Sequence, residues 1–281
     1  MPDPARPHIF VATHHKSGTV WMVSTFRRIA KANNFAFVHL NTGESGWNLR
    51  PDKLDYFEQQ RALAESDTDL PAVFVDYHSA IPDLASCKAT RGARGIHLIR
   101  DPRDMLLSAV RYHLNSDEAW LHEPQADLGG LTHQQRLHQL DTLEDRIRFE
   151  IDQQMGWTIR EMSSFDRQGI FRDVKYEDLV VDESMTLFYE LCVELGMRGG
   201  ELVRALESYW QLSIFGGMKA IAQSGRHKHI RDSRGEQWPT QLSAEGLEII
   251  QRSFEAEIVG LGYELADGGD LVYNASNPLE A

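Results

Sequence analysis

The chain alternates short β-like apolar runs with longer stretches of helical periodicity, and that alternation restricts its fold more than any other feature. Residues 9–12 (IFVA), 36–39 (AFVH), 72–77 (AVFVDY), 95–100 (GIHLIR) and 169–176 (GIFRDVKY) read as strands. Residues 21–32 (WMVSTFRRIAKA) place apolar side chains at helical spacing. A second helix is expected to open on Pro102, with Asp104 in its first turn. Residues 131–164 read as one long or two shorter helices, and 181–196 as a helix closed by Gly196. Strands separated by helices imply βαβ units, so the expected class is α/β: one domain over 1–281 with a central parallel sheet flanked by helices. In such sheets ligands bind beyond the carboxyl ends of the strands. That directs attention to 14–21, His78, 100–104 and 176–178.

Composition narrows the function classes. With 281 residues, 42% apolar and 25% charged, the chain is an ordinary globular sequence long enough for a full core. Lys and Arg number 29 against 42 Asp and Glu, a net charge of −13. Nucleic acid and anionic membranes are therefore not expected partners, and an anion site must be a local basic cluster. Two distant cysteines, Cys87 and Cys192, fit a reducing compartment. The apolar run 9–12 is too short for a signal peptide and no run reaches membrane-spanning length. A cytoplasmic location without a membrane anchor is expected.

Two segments carry anion chemistry. HHKSGTVW (14–21) joins the first strand to the first helix. A helix N-terminus offers unpaired N–H groups and a positive dipole end, small residues let the backbone approach a ligand, and Lys16 adds a mobile cation. It is no Walker A loop, because no glycine precedes the lysine at the required spacing. Taken alone, the same residues also read as an exposed lysine in a capped turn. In RDPRDMLLS (100–108), Arg100 ends a strand and Ser108 follows eight residues later, about two helical turns on. Arg100 suits a bidentate phosphate contact and Ser108 a supporting hydroxyl, with Arg103 as an additional cation. The bland alternative is a surface ion-pair cluster of Arg100, Asp101, Arg103 and Asp104.

Together these motifs resemble those of the PAPS-dependent sulfotransferases, which use 3′-phosphoadenosine 5′-phosphosulfate. HKSGTVW is similar to the family's 5′-phosphosulfate loop, near PKSGTTW, and RDPRDMLLS matches its R-x-x-x-D-x-x-x-S 3′-phosphate motif. The Tyr-Glu-Asp-Leu at 176–179 is similar to a further family segment, and the ordered motifs span 9–238. The resemblance implies a P-loop-NTPase-like sulfotransferase fold, PAPS as donor, PAP (3′,5′-bisphosphoadenosine) as product and a small organic acceptor. It implies that Lys16 stabilises charge on the bridging oxygen and that backbone N–H groups of Ser17, Gly18, Thr19 and Val20 hold the 5′-phosphate. Trp21 would stack on the adenine, Arg100 and Ser108 would take the 3′-phosphate, and Tyr176 would contact the base. Ser213 and Phe215 resemble the family's later Thr-x-Phe, although Phe215 reads equally well as core. HIRDSRGEQW (229–238) is similar to the last family motif: Arg231 sits seven residues before Trp238, Asp232 and Ser233 replace Lys-Gly, and Arg234 compensates. Residues 224–238 are expected to form a lid, and segments 41–70 and 113–145, with Trp47, Tyr56, Phe57 and Trp120, to supply the acceptor pocket. The family's dimer motif is not evident, which leaves the oligomeric state open.

Sulfuryl transfer needs a base, and His78 is the expected one. It follows the strand 72–77 and precedes Arg100 by 100 − 78 = 22 residues, the family interval. Asp76 is placed to orient it. His14 and His15 are rival bases. His113, His122, His133 and His138 lack H-E-x-x-H or Cys-x-x-Cys spacing, so no metal is assigned and none is required. Two other functions remain open on residues alone: a nucleotide-dependent kinase using the same cradle, and a non-catalytic nucleotide-binding domain.

Overall fold

A computed structural model of the chain describes residues 6–40, 62, 70–77, 92–220 and 236–272. The chain divides into two compact units, Met1–Ile99 with Phe165–Gly235, and Arg100–Ser164 with Glu236–Ala281. The first holds a five-stranded sheet of β1 (His8–Thr13), β2 (Ala36–His39), β3 (Ala72–Tyr77), β4 (Ala93–Ile99) and β5 (Phe171–Lys175). All pairings are parallel and the order is β2-β3-β1-β4-β5. The α/β class with a central parallel sheet is as the alternating pattern requires.

Alternation along the central strands sorts two cores. Ile9 and Val11 of β1, Val73 and Val75 of β3, and Ile96 and Leu98 of β4 face one side. There they meet α1 (Thr19–Asn33) through Met22, Phe26 and Ile29, together with Phe188 and Leu191 of the helix Thr186–Glu194 and Tyr209 of the helix Gly200–Leu212. Phe10, Ala12 and Phe74 face the other side, against Phe165 and Phe171. Burial on both faces is why these strands read as unbroken apolar runs. Each large side chain so buried stabilises the fold by roughly 1.5–3 kcal/mol. Cys192 lies in the first core, and burial pushes its thiol up to about 12, so it is chemically inert.

The second unit is helical. Its central helix α2 (Pro102–Asn115) packs against α3 (His133–His138), α4 (Leu143–Asp152), α5 (Gln154–Ser163) and the long helix Ala244–Gly260. Residues 131–164 thus hold three helices rather than one or two, because Thr132 and Thr142 each start a new helix by capping it. Two other boundaries differ from the sequence reading. The helix expected from 181 begins at Thr186, since the Asp182 carboxylate accepts the N–H groups of Leu187 and Phe188 and so caps it from outside. Tyr176 leaves the fifth strand and opens the short helix Tyr176–Val180. Among the described residues no helix is long and apolar enough to cross a membrane.

Candidate functional site

The loop between β1 and α1 is built around one carbonyl. The His14 C=O accepts the Ser17 N–H at 3.0 Å, the Ser17 hydroxyl at 2.9 Å and the Thr19 hydroxyl at 2.8 Å. The Ser17 hydroxyl in turn accepts the His14 N–H. Both hydroxyls and the Ser17 N–H therefore serve the loop itself. Lys16 (φ 68°) and Gly18 (φ 106°) lie in the left-handed region, which turns the chain from β1 into α1. Gly18 is obligatory for a second reason: a Cβ there would stand 2.7 Å from Cδ2 of Tyr176.

Gly18 is the N-cap of α1 and has no side-chain cap. The first helical bond is Met22 N–H to Gly18 C=O at 3.1 Å, so the Thr19, Val20 and Trp21 amides have no intrahelical acceptor. Val20 is more than half exposed, while Ser17 is wholly buried. The N-terminus of this 15-residue helix thus carries no side-chain cap and lies beside a lysine, and such termini favour negative charge.

Behind this N-terminus lies an aromatic cluster. The Trp21 ring stacks on Tyr209 at 5.6 Å between centroids and stands edge-on to Tyr176 at 6.1 Å. Tyr209 stacks on Phe188 at 3.9 Å and meets Phe215 edge-on at 5.7 Å. Three residues singled out in the sequence, Trp21, Tyr176 and Phe215, thus share one cluster. Its hub, Tyr209, was not among them; its hydroxyl donates to the Leu179 carbonyl. The Trp21 indole N–H is buried with no acceptor among the described residues. Ser213 terminates its helix, and its hydroxyl donates to the Trp210 carbonyl at 2.9 Å.

A second feature that sequence motifs missed runs beneath the loop. His14 Nε2 lies 2.9 Å from His97 Nε2, and His97 Nδ1 lies 2.8 Å from Asp173 Oδ1. Arg167 closes the chain with a 2.8 Å bond to Asp173 Oδ2. Burial lowers the His97 pKa to about 4, in spite of the Asp173 hydrogen bond. Burial acts to raise Asp173, but hydrogen bonds from His97 and Arg167 outweigh it and hold the carboxyl at about 2. His97 is therefore neutral and donates a hydrogen bond from Nδ1–H to the carboxylate, which leaves its Nε2 as an acceptor. The proton between the two imidazoles must then sit on His14 Nε2. This relay fixes the orientation of the residue whose carbonyl holds the loop. His14, a rival base in the sequence reading, is buried and committed to it. The strand register could have disclosed half of the relay, because His97 pairs with Asp173 and Ala12 with His97.

The relay makes stability pH-dependent. The unfolded chain takes up the His97 proton near its ordinary value of 6.5, whereas the folded chain resists until about 4. The stabilisation is complete above pH ~6.5 and drains away as pH falls through that interval. The denaturant midpoint is therefore expected to drop between pH 7 and pH 5, and less so in His97→Leu. An unchanged difference between the two proteins would show that His97 is not responsible.

The Arg-Asp-Pro-Arg-Asp segment lies in the second unit and is buried, not a surface ion-pair cluster. Asp101 caps α2 by accepting the Arg103 N–H, and it binds the Arg103 guanidinium through Nε at 2.9 Å and Nη2 at 2.7 Å. The Arg103 guanidinium also lies 4.1 Å from the centroid of the Trp238 ring. Its Nε and Nη2 are thus engaged within the helical unit, while Nη1 is buried with no hydrogen-bond partner among the described residues. Asp104 accepts the Gln237 and Trp238 N–H groups at 3.1 and 2.8 Å. Arg100 is buried at the start of this unit, directly after β4 in the chain. Ser108 is half-buried on α2, and its hydroxyl has no partner among the described residues. His78, Arg231, Arg234 and nearly all of 41–70 and 224–238 lie outside the described residues. Asp76 is buried at the end of β3, and its carbonyl accepts the Thr13 hydroxyl.

Comparison with known proteins agrees with this architecture. A crystal structure of mouse sulfotransferase SULT7A1 complexed with PAP matches with a TM-score of 0.55 at 14% identity, covering 90% of this chain and 84% of that one. A sulfotransferase domain from the curacin biosynthetic pathway matches with TM-score 0.39 at 17% identity, over 94% of this chain and 100% of that one. One from the Synechococcus PCC 7002 olefin synthase gives TM-score 0.34 at 15% identity, over 89% and 96%. No curated protein is a significant sequence match. The family model described as sulfotransferase domain runs over residues 6–262, through both units. With that match over most of its length, the chain belongs to the sulfotransferase domain family.

Proposed function

We propose that the chain transfers a sulfuryl group from PAPS to a hydroxyl or amine of a small organic acceptor, releasing PAP. The observation that carries this reading is the uncapped N-terminus of α1 after β1, with Lys16 on the loop and Trp21, Tyr176 and Phe215 clustered behind it. The fit is specific: an anion satisfies the unpaired amides, and an adenine offers π-surface and acceptors to a cluster that holds an unpartnered indole N–H. The mouse relative carries PAP, and the present chain shares its fold.

When bound, PAPS supplies an activated sulfuryl group on a phosphate leaving group. The amides of 18–20 bind the 5′-phosphate, and Lys16 neutralises charge that grows on the departing oxygen. Preorganised charge of this kind is usually the largest catalytic term. His78 takes the acceptor proton. Arg100 and Ser108 bind the 3′-phosphate, with Arg231 and Arg234 as further cations. Ser213 contributes at the adenine end. Lysine and backbone amides supply the neutralisation, so a catalytic metal is not required. The acceptor site draws on 41–70 and 113–145.

The test is calorimetry without added metal. PAP should bind tightly and adenosine 5′-monophosphate much more weakly; preference for ATP with Mg²⁺ would instead favour a kinase. Arg100→Ala should weaken PAP affinity and leave the rate at saturating donor nearly intact. His78→Ala should do the opposite, lowering turnover with a phenol or amine acceptor by about 10²-fold or more. An Arg100→Ala protein with normal PAP affinity would remove the 3′-phosphate assignment.

A further inference from the structure

The helical unit brings together three buried side chains that the proposed sulfuryl transfer does not use. His113 stands on the last turn of α2, His133 opens α3 and Glu150 lies on α4; their side chains are 0, 2 and 0% exposed. Glu150 Oε1 lies 2.6 Å from His113 Nδ1 and 3.0 Å from His133 Nε2, and the donor atoms of the three residues fall within 4.8 Å of one another. The second carboxylate oxygen, Oε2, is buried with no hydrogen-bond partner among the described residues.

A triad held by protons alone leaves that oxygen desolvated and unpaired in a dry interior, which is costly. Two imidazole nitrogens and a carboxylate with donor atoms this close together form a donor set for a borderline divalent cation, and Oε2 offers a fourth donor. The surrounding structure holds the set in place. The Gln134 side-chain amide donates to the His113 and Ser116 carbonyls, at 2.8 and 3.0 Å, tying the start of α3 to the end of α2. Thr132 and Gln135 form a reciprocal capping box at the N-terminus of α3. The rings of Trp120 and Phe149 flank the His133 ring at 5.1 and 4.8 Å. Magnesium and calcium prefer all-oxygen sites, which this is not.

We propose that His113, His133 and Glu150 form a closed structural zinc site, bound through His113 Nδ1, His133 Nε2 and the Glu150 carboxylate. Each imidazole must give up the proton it shares with Glu150, moving it to its other ring nitrogen or releasing it to solvent. Nothing is oxidised or reduced. The burial of all three ligands excludes substrate, so the ion serves to pin α2, α3 and α4 together. The inference does not depend on the proposed donor or acceptor.

The test uses the full chain, stripped with a chelator and titrated with Zn²⁺. One equivalent should bind and survive desalting, with an increase in melting temperature; Mg²⁺ should give neither. Co²⁺ should bind in its place and show the visible absorption of a low-coordinate nitrogen and oxygen site. Glu150→Gln should weaken Zn²⁺ binding by more than about 100-fold, beyond the ~10–100-fold cost of losing an outer-shell partner. Zinc content well below one equivalent, or unchanged affinity in Glu150→Gln, would overturn the assignment. If Glu150→Gln fails to fold, imidazole nitrogen NMR of the unaltered chain decides: Zn²⁺ must shift His113 and His133, and binding that leaves both unshifted refutes the site.

Discussion

Lys16→Ala is expected to lower sulfuryl transfer by about 10²–10³-fold, the usual cost of removing one group that stabilises developing charge. Lys16 occupies a left-handed backbone position two residues ahead of the helix cap. The Ser17 and Thr19 hydroxyls are bonded to the His14 carbonyl, so neither is free to take over. The backbone amides remain and continue to hold phosphate, so PAP affinity should fall far less than the rate. Measuring both on one protein, with the best acceptor from a panel of phenols and amines, separates the two effects. Equal losses in PAP affinity and in rate would mean that Lys16 only binds, and the leaving-group role would fail.

His97→Ala is expected to destabilise the fold by about 3–5 kcal/mol, through the cavity it leaves and the two polar partners it strands. His97 is fully buried, its ring stacks on Phe165 at 4.1 Å, and it stands between His14 and Asp173. Without it the His14 Nε2 proton has no acceptor at that position and the Asp173 carboxylate keeps only Arg167 at its outer edge. The loop should loosen with it, because the carbonyl that gathers Ser17 and Thr19 belongs to His14. Denaturant unfolding reads the first effect and PAP calorimetry on the folded variant reads the second. A stability loss below about 1 kcal/mol would show the relay to be incidental.

Much of this was legible from local pattern. The five strands stand where apolar runs were read, within two residues at most ends, since a buried strand announces itself over a few consecutive positions. The Lys-Ser-Gly-Thr loop was legible for the same reason: its turn is made by contiguous backbone, and the sequence has to carry glycine where φ is positive and a ring lies close. The setting of Arg103 was not legible, because whether a guanidinium meets a neighbouring carboxylate or ring depends on burial. Here Asp101 and Trp238 enclose it.

Sequence alone thus determined the α/β class, the parallel sheet and the tight Lys-Ser-Gly-Thr turn between β1 and α1, all of which depend on residues adjacent or periodic in the chain. Tertiary structure alone decided the relay, the Tyr209-centred cluster and the His113–His133–Glu150 triad. His14 and His97 are 83 residues apart, and His113 and Glu150 are 37 apart. No local spacing encodes such pairs: folding gives up backbone entropy to bring them together, and only then do burial and a shared proton give these side chains their chemistry.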